Sequence, residues 1–171
     1  MSCYGRDIVE ATSKKMNLPV SKISEHEETY SPRLFSMLLP LGSDSIAKQD
    51  EIYNVQKEVI REMAEKESCI IVGRCADYVL GDYSNVINTF IYAYKDDRLN
   101  RIMDIYKLTE KQAADKIKKT DRERKLYYEA RTGREWGGIE SNSMLFNTSL
   151  LGIDGVTDAL EAIYRKWESR G

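Results

Sequence analysis

The sequence has little that would support zinc binding or disulfide cross-linking. It contains one histidine, His26, and three cysteines, Cys3, Cys69 and Cys75. Zinc sites are built mainly from several cysteines and histidines, and His26 stands in the acidic run "SEHEE", so we expect it to be a surface residue. An odd number of cysteines without metal-type spacing indicates reduced thiols in a cytoplasmic protein.

Long apolar runs and an excess of positive charge are also missing. No apolar stretch approaches the roughly 20 residues that cross a bilayer. The first residues, "MSCYGR", lead into a polar amphipathic stretch and not into a signal peptide. The formal net charge is -2, so the chain has no global field that would gather DNA or RNA. We therefore expect no membrane and no nucleic acid among its partners.

What the sequence does contain is strands that alternate with helices. Its 171 residues, 42% of them apolar, are enough for one domain with a core. β-Branched and aromatic runs predict three strands, at 69–72, 86–94 and 144–148. Apolar periodicity predicts helices over 6–17, 21–28, 44–66, 96–107, 109–128 and 152–167, with one helical turn over 76–80 and a loop over 29–43. This order favours an α/β fold, a parallel sheet flanked by helices.

Two of the helices carry a repeating stripe: Ile8, Thr12 and Met16 over 6–17, and Ile52, Val55, Val59, Ile60 and Met63 over 44–66. Thr109 and Gln112 form a capping-box pattern.

One short stretch, "CIIVGRCADYVL" at 69–80, combines an apolar strand with a basic turn. Ligands of open parallel sheets lie beyond the carboxyl ends of the strands. Gly73 lets the backbone turn there without steric cost, and the guanidinium of Arg74 offers a planar fork of donors to phosphate or carboxylate oxygens. A surface arginine paired with Asp77 explains the same spacing equally well.

A second unusual feature of the sequence is the high density of basic residues between Lys116 and Arg134. This segment has eight basic and three acidic residues, and few apolar residues between Ile117 and Leu126. On a helix, Asp121 and Arg124 are three residues apart and can pair. The segment is explained either as a solvated charged helix or as a mobile basic cover that shields a phosphate site from water.

Four ordered motifs together resemble a known family. They are "CIIVGRCADYVL", "FIYAYKDDRLNRIM", "KKTDRERKLYYEARTGREWG" and "FNTSLLGIDGV". They resemble the cytidylate-kinase-like proteins of bacteria, which belong to the P-loop nucleoside monophosphate kinases. The resemblance implies one kinase-like domain over 1–171, with an acceptor-side helical region at about 20–66 and a helical lid over 109–135. It also implies transfer of the γ-phosphoryl of ATP, with Mg²⁺, to CMP or dCMP. Apart from the resemblance, the sequence leaves the oligomeric state open, with a homo-oligomer as one alternative.

The resemblance also assigns roles to individual residues. It places Gly73 and Arg74 in the turn that grips the acceptor nucleotide. True cytidylate kinases have an aspartate directly after that arginine; Cys75 stands there in this chain, and Asp77 is the nearest carboxylate that could substitute.

In the lid, the resemblance matches Asp121 and Arg124 to an Asp-x-x-Arg motif whose arginine bridges the donor and acceptor phosphates. Arg122 and Lys119 are implied as helpers, Lys119 on the ATP side. Arg6, early in the first helix, lies where the family often has a basic residue near the acceptor.

The sequence differs from the family in its N-terminal part. It contains no Gly-x-x-x-x-Gly-Lys-Ser/Thr motif, and no glycine is followed by lysine. We therefore expect the first strand–loop–helix unit to be missing, because of an incomplete gene product, a misplaced start or a relative that has lost catalysis. Without amides that cradle the phosphates, phosphoryl transfer should be slow or absent. A non-catalytic nucleotide-binding, regulatory or interaction protein derived from this fold is the alternative.

Overall fold

The computed structural model of the chain describes residues 1–28 and 44–169. The predicted loop over 29–43 lies outside the described residues. The chain divides into two compact units. The first unit comprises Met1–Val86 and Arg122–Trp136, and the second unit comprises Ile87–Asp121 and Gly137–Gly171.

The helices and strands follow the predicted order closely. In the first unit they are β1 (Ser2–Tyr4), α1 (Arg6–Met16), α2 (Val20–Glu28), α3 (Asp44–Lys66), β2 (Cys69–Ile71) and α4 (Ala76–Val79). They continue with β3 (Thr89–Tyr92), α5 (Lys95–Tyr106), α6 (Glu110–Thr132), a 3₁₀ turn (Ile139–Ser141), β4 (Met144–Asn147) and α7 (Thr148–Glu168). Helix α6 begins in the second unit and ends in the first. None of the helices in the described ranges is both long and apolar enough to cross a membrane.

The strands form two small parallel sheets. In the first unit β1 pairs with β2, with Cys3 opposite Ile70. In the second unit β3 pairs with β4, with Phe90 opposite Leu145. The predicted α/β class with parallel pairing is therefore confirmed, in a mostly helical form. The apolar strand over 69–72 is not buried throughout, since Ile70 is 48% exposed. Each strand of a two-stranded sheet is an edge strand with one neighbour.

The expected loss of the first strand–loop–helix unit is not confirmed. Strand β1 is present and pairs with β2, and Val72 N donates to Tyr4 O over 2.9 Å. Helix α1 follows directly, with Gly5 as the single connecting residue. Three residues are too few to show the alternating pattern that identifies a strand, which is why β1 was not predicted. What the junction lacks is a glycine-rich loop.

The core of the first unit lies between α1 and α3. Ile8 on α1 and Ile60 on α3 are fully buried and share one cluster with Val59. Thr12, on the same predicted stripe as Ile8, is also fully buried, and its hydroxyl donates to Ile8 O over 2.7 Å. Burying each large aliphatic side chain stabilises the fold by about 1.5–3 kcal/mol. The two predicted stripes therefore hold this part of the chain together.

The second unit is organised around β3 and β4. Helix α6 begins with the predicted capping box: Thr109 N donates to Gln112 Oε1 over 2.9 Å, and Gln112 N donates to Thr109 Oγ1 over 3.4 Å. Gly137 has a φ of +74°, and a Cβ added there would lie 2.9 Å from Phe90 Cζ. Helix α7 starts at Thr148 and is interrupted at Gly152, which has non-helical dihedral angles; the predicted start at 152 matches the helical part that follows.

Candidate acceptor site in the first unit

The turn after β2 has an unusual backbone. Gly73, Arg74 and Cys75 all have positive φ angles, of 75°, 53° and 55°. Left-handed conformations of residues other than glycine cost on the order of 1–3 kcal/mol each and persist where the surrounding structure over-determines them. Ala76 N donates to Gly73 O over 3.1 Å, and Val79 N donates to Cys75 O over 2.9 Å. The turn is thus closed onto α4, and it places half-buried Arg74 at the carboxyl end of β2.

The same turn directs Cys75 into the interior. Its side chain is 5% exposed and packs with Tyr53 and Tyr128. Burial, with a smaller contribution from the Asp77 carboxylate, raises the pKa of the Cys75 thiol to about 12. Cys75 is therefore neutral near pH 7 and cannot replace the aspartate that the family resemblance implies at this position.

Asp77, the nearest carboxylate, is held by a tyrosine. The hydroxyl of Tyr128 donates to Asp77 Oδ2 over 2.5 Å. Tyr128 is 8% exposed, and Asp77 is half-buried in the first turn of α4. A hydrogen bond to a charged acceptor in such surroundings is stronger than one between neutral groups. It fixes the orientation of the carboxylate.

Further contacts attach the end of α6 to α3. Tyr127 Oη donates to the buried amide of Gln56 over 3.4 Å. The guanidinium of Arg131 forms an ion pair with Asp50 and lies 4.9 Å from the ring centroid of Tyr53. These contacts hold Tyr127 and the residues after it within the first unit. They involve the last turns of the segment over 109–135, whose role as a lid stays a prediction.

A tyrosine-rich cluster lies beneath the turn. Its members are Tyr53, Cys75, Tyr127, Tyr128 and Trp136. Sequence reasoning did not select these tyrosines for the site or assign a role to Arg131. A signal was present: the run "KLYYEAR" brings aromatic residues into a helix that is otherwise polar, which indicates burial of that part of the helix.

The other predicted site residues of the first unit are exposed. Arg6 has a side chain that is 84% exposed and lies 3.8 Å from Glu10, a surface pair that contributes about 1 kcal/mol at most. Arg122 and Arg124 are exposed on α6. They belong to the same unit as Arg74, and their convergence on one pocket stays a prediction.

Two predicted site residues belong to the second unit. Asp121 accepts a hydrogen bond from Arg98 over 2.7 Å, so the expected pairing with Arg124 is replaced by a pair between α5 and α6. The bond also raises the pKa of Arg98. Lys119 is exposed on α6, and its assignment to the ATP side stays a prediction.

The described residues do not fit the phosphate and Mg²⁺ cradle that the family implies. A P-loop supplies successive backbone amides and a Ser or Thr hydroxyl at the start of the helix. Here one residue, Gly5, connects β1 to α1, and the first turn reads Arg6, Asp7, Ile8, Val9. Among the side chains described, those of residues 1–24 and 48–169, no group of three or more His, Cys, Asp or Glu is arranged to hold a metal ion.

Comparison with known proteins agrees with the resemblance. The model of the cytidylate kinase-like family matches residues 1–150, so the chain belongs to the cytidylate kinase-like family. A solved structure, that of an uncharacterized protein from Eubacterium ventriosum ATCC 27560, is similar with a TM-score of 0.66 and 25% sequence identity. The similarity covers 96% of this chain and 97% of that chain. No curated protein matches the chain.

Proposed function

We propose that this chain binds a pyrimidine nucleoside monophosphate, CMP or dCMP, on the first unit and transfers phosphate from ATP slowly or not at all. The observation that carries the proposal is the left-handed turn Gly73–Arg74–Cys75 at the end of β2, with Asp77 oriented just after it. The family relationship makes a nucleotide the expected ligand of such a turn.

Arg74 and Asp77 offer complementary groups to a nucleotide. A guanidinium donates to phosphate oxygens or to the acceptors of a base. A carboxylate accepts from an exocyclic amino group such as that of cytosine. Because Tyr128 already orients Asp77, little side-chain freedom would be lost when a ligand binds, which favours affinity.

Weak phosphoryl transfer follows from the junction between β1 and α1. Positioning and electrostatic stabilisation supply nearly all of the catalysis in this reaction class. A connection of one residue, Gly5, leaves no loop to surround a β-phosphate. Arg124 and Arg122 are therefore proposed only as groups near the acceptor phosphate and not as groups that act on ATP.

Binding is tested by isothermal titration calorimetry with CMP, dCMP, UMP and AMP. The key variant is Arg74→Ala, and the matched control is Arg61→Ala, which removes an exposed arginine of α3. Loss of a charge-assisted contact of about 1.5–3 kcal/mol predicts that Arg74→Ala weakens CMP binding about 10- to 100-fold. The control should bind like the wild type. Equal affinity of both variants would remove Arg74 from the site.

A (d)CMP kinase is the second candidate, and family membership favours it. ADP release from ATP and Mg²⁺ with each monophosphate separates the two candidates. Binding of CMP without turnover supports the first, and turnover in the ordinary range of kinases, about 1–100 s⁻¹, supports the second. If no monophosphate binds, the nucleotide proposal is overturned and an interaction protein is the remaining interpretation.

A further inference from the structure

We infer that the hydroxyl of Tyr53 is a direct contact of the bound nucleotide and hydrogen-bonds the edge of its base. This inference rests on the proposed function, since the occupant is taken to be the same nucleoside monophosphate. It adds a residue to the site that neither the motifs nor the family relationship singles out.

The first observation is that Tyr53 is buried with its polar end unused. The residue is 7% exposed, and its hydroxyl is fully buried without a hydrogen-bond partner among the described residues. Buried hydroxyls in native proteins are nearly always hydrogen-bonded. An unpaired one destabilises the fold, because the group has lost its water without gaining a partner.

The second observation is that the neighbouring side chains each have a hydrogen-bond or ion-pair partner of their own. Tyr128 donates to Asp77, Tyr127 donates to Gln56, and Arg131 pairs with Asp50. Tyr53 packs in one cluster with Tyr128 and Cys75, and Cys75 is the last residue of the left-handed turn that carries Arg74. Phenylalanine would fill the same volume without an unpaired oxygen. A hydroxyl at this position is explained if a bound ligand supplies its hydrogen-bond partner.

The chemistry of a phenol suits a nucleobase. A tyrosine hydroxyl both donates and accepts, so it can contact either the amino group or the ring carbonyl of cytosine. Burial raises the pKa of Tyr53, and the neighbouring Cys75 adds to the shift. The hydroxyl therefore keeps its proton near pH 7 and offers a neutral contact that adds no charge beside Asp77.

The test compares Tyr53→Phe with Tyr83→Phe. The control removes a hydroxyl that donates to Glu65 over 2.6 Å at an exposed position of the first unit. Each protein is measured twice: urea unfolding without nucleotide, and calorimetric titration with CMP. For Tyr53→Phe we expect unfolding stability equal to or above wild type, together with about a tenfold loss of CMP affinity. For Tyr83→Phe we expect wild-type affinity.

Unchanged or higher unfolding stability together with weaker CMP binding distinguishes a ligand contact from a packing role. If Tyr53→Phe is less stable without nucleotide and binds CMP normally, the hydroxyl serves a structural water, and the inference is wrong while the proposed function stands. If Tyr53→Phe matches wild type in both measurements, the inference is equally wrong. If the wild type itself binds no CMP, dCMP, UMP or AMP, both the proposed function and the inference fail.

Discussion

The bond between Tyr128 and Asp77 gives a sharp test of how the first unit is held together. Tyr128→Phe removes a donor 2.5 Å from Asp77 Oδ2 and leaves the ring in its cluster. Hydrogen bonds to charged groups contribute about 1.5–3 kcal/mol. Since Asp77 is only half-buried, water can partly replace the donor, and we expect a loss of about 1.5–2 kcal/mol. For a chain of this length that corresponds to a decrease in Tm of about 3–8 °C.

A double-mutant cycle with Asp77→Asn isolates this interaction from other effects of the two substitutions. Stability is measured by urea unfolding of the wild type, both single variants and the double variant. We expect a coupling energy of about 1 kcal/mol or more, because the second substitution removes a charge whose donor is already gone. Coupling below about 0.3 kcal/mol, within the usual scatter of independent sites, would show that the short contact is not an energetic link between α4 and α6.

Other predictions address the strained turns and the buried thiol. Gly137→Ala should destabilise more than Gly73→Ala in thermal unfolding, since both need a positive φ but only the former meets a ring, 2.9 Å away; equal losses would contradict the clash. Cys75 should react with iodoacetamide at pH 8 far more slowly than exposed Cys3, as read by mass spectrometry of the labelled peptides. Because the pKa of Cys75 is raised from 9.0 to about 12 on folding, its contribution to stability is complete below pH 9 and decreases as the pH rises toward 12. Cys75→Ser should flatten this alkaline decrease, and an unchanged profile from pH 8 to 10 would show that the thiol does not cause it.

Long amphipathic segments were predicted well because their signal is repeated over many residues. Helix α3 has the predicted bounds, Asp44–Lys66, since its apolar stripe extends over several turns. The capping box at Thr109 and Gln112 is a local signal of four residues and was also correct. Strand β1 was missed because it has three residues and is defined by its partner β2, 65 or more positions away.

Which side chains pair with each other could not be predicted from the sequence, because the pairing depends on tertiary contacts. The helical spacing suggested that Asp121 pairs with Arg124, but Arg98 of another helix takes the carboxylate. Tyr128 and Asp77 are 51 residues apart in sequence, and no local rule connects them. The unpaired hydroxyl of Tyr53 is likewise visible only in the folded structure. The family motifs identified the turn around Arg74, whereas the groups beneath it required coordinates.

The one-residue junction at Gly5 is a suitable position for inserting a loop between β1 and α1. Strand β1 and helix α1 already flank the insertion point and are anchored by sheet pairing and by the buried face of Ile8. A glycine-rich segment inserted there would extend outward from two fixed ends, and surface loops tolerate added length at modest entropic cost. A chain with such an insertion would test the proposed binding of an acceptor separately from the binding of a phosphate donor.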